Sequence, residues 1–135
     1  MKQKQWSDLR DEYCGYLPQL VQAVEAVDAQ PENAMLRDAL IQRFKCSFEL
    51  AWKMMRAYLS AQGAETNAPR LSIRYALDHG LLPDDAAVDA WQSIADDRNL
   101  APHAYTEALA GELAERIARV HLARLTALAK TATDL

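Results

Sequence analysis

Between Pro31 and Gly63 the chain runs without a glycine or a proline, and its apolar residues keep helical spacing throughout. Leu36, Leu40, Phe44, Phe48, Ala51, Met55 and Leu59 form one stripe at intervals of three and four, which Ile41, Trp52 and Tyr58 widen. That pattern predicts a single helix from about Asn33 to Gln62. Being apolar on more than one side, it belongs at the centre of a bundle or in a dimer interface. Gly63 is its natural stop.

The rest of the chain must organise around that rod, and its punctuation marks four more helices. The first runs from about Ser7 to Asp28, with Trp6, Leu9, Tyr13, Leu17, Leu20, Val24 and Val27 on one face and Ser7 as the expected cap. Gly15 and Pro18 predict a kink or break within it. A short helix opens at Asn67-Ala68-Pro69 and ends at His79-Gly80, with Leu71, Tyr75 and Asp78 sharing a face. Pro83-Asp84-Asp85 opens the next, whose inner face carries Val88, Trp91 and Ala95 and continues to Arg98. The last begins around Pro102 and reaches about Ala129 through Leu109, Leu113, Ile117 and Val120, after which Leu122, Leu125 and Leu128 drift; residues from Thr131 onward fray. The expected fold is all-α: an up-and-down four-helix-type bundle with one extra short helix, a single domain over residues 1–135.

Composition narrows the function classes. Half of the 135 residues are hydrophobic, enough for a real core. The formal net charge of −4 argues against a chain that coats nucleic acid nonspecifically, although a local basic site fits. No apolar run is long enough to span a membrane, and Met1-Lys2-Gln3-Lys4-Gln5-Trp6 lacks a signal-peptide core, so the cytoplasm is the expected compartment. Cys14 and Cys46 have no partner at metal-ligand spacing and read as ordinary packed or half-buried thiols rather than a disulfide. No metal site and no cofactor is expected, and no glycine-rich phosphate loop occurs.

One stretch stands out: Asp96-Asp97-Arg98-Asn99-Leu100-Ala101-Pro102-His103-Ala104-Tyr105. Arg98 lies on an inward helix face, where a guanidinium requires an anion. If Pro102 is the first residue of the last helix, His103 falls in its first turn, where free backbone N–H groups and the helix dipole also favour an anion. A guanidinium, an imidazole and a helix N-terminus would then converge on one phosphate-sized point, with Tyr105 adding a hydroxyl and His103 placed to act as a general base. The plainer alternative is that Arg98 pairs with Asp96 or Asp97 and His103 merely caps a helix.

At these residues the chain resembles the nucleotidyltransferase substrate-binding proteins, a branch of the HEPN superfamily. Arg43-Phe44-Lys45-Cys46-Ser47-Phe48-Glu49-Leu50-Ala51-Trp52-Lys53 looks like that family's second-helix signature, and Arg98 to Tyr105 like the superfamily's Arg-x4-His-x-Tyr motif. Pro69-Arg70 and Trp91 also fit. Lys45 stands where an acid is expected, and Ala101-Pro102 where a small hydroxyl residue is common. The resemblance implies a homodimer encoded beside a minimal nucleotidyltransferase (MNT), often a metal-independent ribonuclease toxin with that partner as antitoxin. It implies catalytic roles for Arg98 and His103, RNA or nucleotide binding by Asn99 and Tyr105, and modification of Tyr105 by AMP. It leaves a second possibility, a non-catalytic subunit that holds a nucleotide or substrate for the transferase.

Elsewhere the plain readings prevail. Glu49 and Lys53 form an i, i+4 pair, Trp52 belongs to a core or an interface, His79 meets a helix C-terminus, and His121 lies at the surface or its boundary.

Overall fold

Helix boundaries in the computed structural model, which describes residues 5–135, follow from short polar caps. Asn33 accepts a hydrogen bond from the Leu36 backbone N–H at 3.2 Å and starts α2, Ala34–Ala61. Asp84 accepts one from the Ala87 N–H at 2.8 Å and starts α4, Asp85–Leu100. Helix α1, Trp6–Ala29, opens slightly earlier than Ser7 predicts, because Gln5 and Asp8 satisfy one another's backbone groups as a capping box. Helix α3 is Pro69–Asp78. Gly63 and Gly80 take positive φ values of 88° and 82°, the conformation that ends α2 and turns the chain after α3.

The expected break in α1 does not occur: the helix runs through Gly15 and Pro18. Leu17 and Leu20 on either side of the proline are buried, and that packing outweighs one missing backbone hydrogen bond. In α3 the inner face is Ser72, Ile73 and Ala76, while Tyr75 is exposed.

The last helix differs most from expectation. Leu100 and Ala101 keep helical dihedrals, so Pro102 and His103 close α4 as a 3-10 turn, Ala101–His103. Ala104 leaves the helical region, and Thr106, accepting from the Leu109 N–H at 3.2 Å, caps α5, Glu107–Arg116. A π turn, Ile117–His121, joins α5 to α6, Leu122–Thr133, without a gap. The π turn holds the buried face at four-residue steps through Leu113, Ile117, His121 and Leu125, and that face continues to Leu128 and Ala132. It turns Val120 outward and His121 inward, reversing the sequence-based expectation for both. The C-terminal residues do not fray as predicted: Ala132 is fully buried, and the Thr133 hydroxyl donates to the Ala129 carbonyl at 2.8 Å.

Helix α2 packs most extensively on α1 and also meets α3, α4 and α5, which makes it the central rod of an all-α bundle. Phe44, Phe48, Met54, Met55 and Leu59 fill the core with Tyr13, Leu20, Ile73, Trp91 and Ile94. Cys14 and Cys46 are half-buried free thiols. Among the described residues no helix is long and apolar enough to cross a membrane. Trp91 on α4, 1% exposed, faces Phe48 with ring centroids 6.5 Å apart. Trp91→Ala is expected to cost about 3–5 kcal/mol, read as a lower denaturant midpoint at unchanged slope; a cost under about 1 kcal/mol would contradict this packing of α4 on α2.

Candidate functional site

Arg98 sits in the last turn of α4 and reaches across to α2, where Glu49 faces it. Its Nη2 forms an ion pair with Glu49 Oε1. The other carboxylate oxygen of Glu49 accepts from the Trp52 indole N–H at 3.2 Å. Arg98 Nη1 donates to Asn99 Oδ1 at 3.3 Å, while Arg98 Nε is buried and has no partner among the described residues. Arg98, Glu49, Gln42, Lys45, Cys46 and Leu50 line a shallow groove of about 360 Å³ between α2 and α4.

This arrangement replaces both sequence readings of Arg98. It pairs with neither Asp96 nor Asp97: Asp96 binds Arg70, and Asp97 turns the opposite way. Glu49 correspondingly serves Arg98 and Trp52 rather than Lys53. Nor do a guanidinium, an imidazole and a helix N-terminus converge. His103 ends the 3-10 turn that closes α4, and the free N–H groups of α5 begin beyond it, at a terminus that Thr106 already caps. His103 and Tyr105 are exposed, their rings edge to face at a centroid distance of 6.3 Å, and Tyr105 is 84% exposed. Neither makes a hydrogen bond to Arg98 within the chain. Arg98, Asn99, His103 and Tyr105 therefore share one surface segment at the C-terminal end of α4, with the cation held by α2 and the ring pair projecting beyond it.

Behind that segment lies a cluster that sequence reasoning missed. The carboxylate of Asp97 takes a bidentate pair of hydrogen bonds from Arg116 Nε and Nη2, at 2.8 and 2.9 Å. It also bonds His121 Nε2 at 2.6 Å. His121 is 3% exposed and stacks on Phe44 with centroids 5.6 Å apart and planes 17° from parallel. Burial pushes the Asp97 carboxyl up, but the hydrogen bonds and charges of Arg116 and His121 outweigh it and hold the group below its ordinary range. The pairing with Asp97 raises the Arg116 guanidinium in turn. The cluster ties the last turn of α4 to the π turn. A signal was available only in outline: His121 lies four residues beyond Ile117, on the buried face, once the α-helical repeat is relaxed.

A family model described as nucleotidyltransferase substrate binding protein like matches residues 11–133, nearly the whole chain. The chain belongs to this family. A crystal structure of a protein from Thermus thermophilus is 31% identical and superposes with a TM-score of 0.63, covering 85% of this chain and 96% of that one. A Shewanella oneidensis HEPN toxin, tri-AMPylated and in complex with its MNT antitoxin, superposes with a TM-score of 0.80 at 15% identity, covering 95% of this chain and 98% of that one. At that identity the likeness concerns the fold, which this family member shares with a HEPN toxin. No curated protein matches the chain.

The Asp97 cluster predicts an acid sensitivity. Because the folded-state pKa of Asp97 is depressed, its stabilising contribution is complete above the unfolded carboxyl value of about 3.9 and is lost as pH falls through the lower folded value. Denaturant melts at pH 7 and pH 3 should show Asp97→Asn less stable than wild type at neutral pH, with the gap narrowing in acid. A constant gap across that range would contradict the clamp.

Proposed function

We propose that this chain is the HEPN-type subunit of a two-component system, an RNA-cleaving toxin that a minimal nucleotidyltransferase partner neutralises. The observation that carries the reading is the single surface segment on which Arg98, Asn99, His103 and Tyr105 stand together, with the His103 imidazole and the Tyr105 hydroxyl group accessible. The family membership and the fold shared with a HEPN toxin bound to an MNT antitoxin support it.

In this mechanism His103 takes the proton of a ribose 2′-hydroxyl. The 2′-oxygen attacks the adjacent phosphorus, the bond to the 5′-oxygen breaks, and that oxygen leaves with a proton from solvent or from a second imidazole. The products carry a 2′,3′-cyclic phosphate and a 5′-hydroxyl. Arg98 stabilises the charge that develops on the phosphoryl oxygens, a role suited to a planar fork of donors. Asn99, whose carbonyl oxygen already accepts from Arg98, orients that fork and offers its amide N–H groups to the RNA. No step calls for a metal ion. A second copy of the chain, set against the same segment, would close the exposed face into a cleft. Tyr105 is exposed enough to receive AMP from the partner transferase, which would add bulk and negative charge where RNA must lie.

One observation favours the second reading, a non-catalytic subunit that holds a nucleotide for the transferase: Glu49 already neutralises Arg98. Incubation of purified protein with RNA in the presence of chelator separates the two. The toxin reading predicts cleavage, lowered by His103→Ala roughly a hundredfold or more. Cleavage that survives in His103→Ala would remove that residue from the mechanism. Intact RNA together with calorimetric binding of a nucleotide would establish the holding role instead. Mixing with the partner transferase and ATP should raise the mass of the wild-type chain by one or more adenylyl groups and leave Tyr105→Phe unchanged.

A further inference from the structure

Glu49, Trp52, Lys53 and Arg56 follow one another at helical spacing along one side of α2, so a single helix face leads away from Arg98. Beyond Trp52 that face borders a half-open groove of about 710 Å³ between the start of α1 and the second half of α2. Trp6 and Trp52, both half-buried, stand in its lining, and Lys53 and Arg56 are exposed along it. The Arg56 guanidinium lies over the Trp52 ring, 5.3 Å from its centroid. Arg10 lies likewise over Trp6 at 5.1 Å, and Trp6 meets Tyr58 edge to face at 4.9 Å. Lys53 and Arg56 enter no ion pair among the described residues; the acid at the rim, Glu65, is occupied by the Ser60 hydroxyl at 2.6 Å.

We infer that this groove is a base-stacking subsite for single-stranded RNA, which continues the Arg98 face along α2. The inference rests on the RNA reading of that face. Indole rings and guanidinium planes accept any base by its π-face, and unpaired cations beside them track the phosphates, the combination that binds single strands. The groove is joined to the proposed cleavage segment by named bonds: the Trp52 indole donates to Glu49, whose other oxygen holds Arg98. From Glu49 to Arg56 the helix rises about 10 Å, within reach of a short oligonucleotide. An overall charge of −4 is compatible with a local site, because Arg10, Lys53 and Arg56 stand beside the two indoles.

The test uses a fluorescently labelled single-stranded RNA whose 2′-hydroxyls are all methylated, so that it binds but supplies no nucleophile. Affinity is read by anisotropy over a range of salt, independently of whether the protein cuts RNA. Trp52→Ala should weaken binding roughly tenfold, and Trp52→Phe should recover most of it. Lys53→Gln combined with Arg56→Gln alters only exposed side chains and leaves the core intact. It should weaken binding and reduce the slope of log affinity against log salt by about 1.4, the value for two phosphate contacts on a single strand. Unchanged affinity and slope in these variants would overturn the subsite, as would wild-type protein that fails to bind the methylated RNA. Should His103→Ala prove fully active in cleavage while Trp52→Ala still loses binding, the subsite stands and the catalytic assignment falls.

Discussion

Asp97 and Arg98 are neighbours in sequence, carry opposite charges, and are tied to different helices. Asp97 turns inward to the clamp made by Arg116 and His121 on the far side of the bundle, while Arg98 reaches to Glu49 on α2. The last turn of α4 is thus held from both sides, and everything beyond it, the 3-10 turn with His103 and the exposed Tyr105, starts from a fixed point. Breaking either tie would leave a partly buried charge uncompensated, which costs more than the pair itself contributes. The π turn belongs to the same constraint. It is what brings a histidine rather than a valine onto the buried face, within 2.6 Å of Asp97.

Glu49 occupies the centre of the candidate site in a different sense. It accepts from both Arg98 and the Trp52 indole, and so links the segment that begins at Arg98 to the aromatic groove along α2. It also competes with any phosphate for Arg98. An anion that approaches this surface meets a guanidinium whose Nη2 is already engaged by Glu49 and whose Nη1 donates to Asn99, while its unpaired Nε is buried. The proposed chemistry therefore depends on ligand contacts beyond Arg98 alone, from Asn99, from His103 and from a second copy of the chain.

Most of the architecture was legible in the sequence because it depends on apolar spacing and on caps. The stripe from Leu36 to Leu59, the helix openings at Asn33 and at Pro83-Asp84-Asp85 and the stops at Gly63 and Gly80 all appear as read. The failures share a physical cause: local signals that tertiary context overruled. Pro18 reads as a break, yet α1 continues because Leu17 and Leu20 are packed on either side. Pro102 reads as the start of a helix, yet it closes the preceding one, since proline's fixed φ suits both positions. That single ambiguity moved His103 from a helix N-terminus to an exposed turn. Motif residues were visible as residue types; the partners of Arg98 and Asp97 were not, because they lie 49 and 19 positions away. Trp52 packs against the core, as expected, and also lines a groove.

The end groups of RNA cut by the purified chain test the central claim most directly. Wild-type protein in excess chelator is expected to release fragments with 2′,3′-cyclic phosphate and 5′-hydroxyl ends, as a 2′-oxygen nucleophile requires, and Arg98→Ala to release almost none. Fragments ending in a 3′-hydroxyl with a 5′-phosphate, or RNA left intact by the wild-type chain, would contradict it.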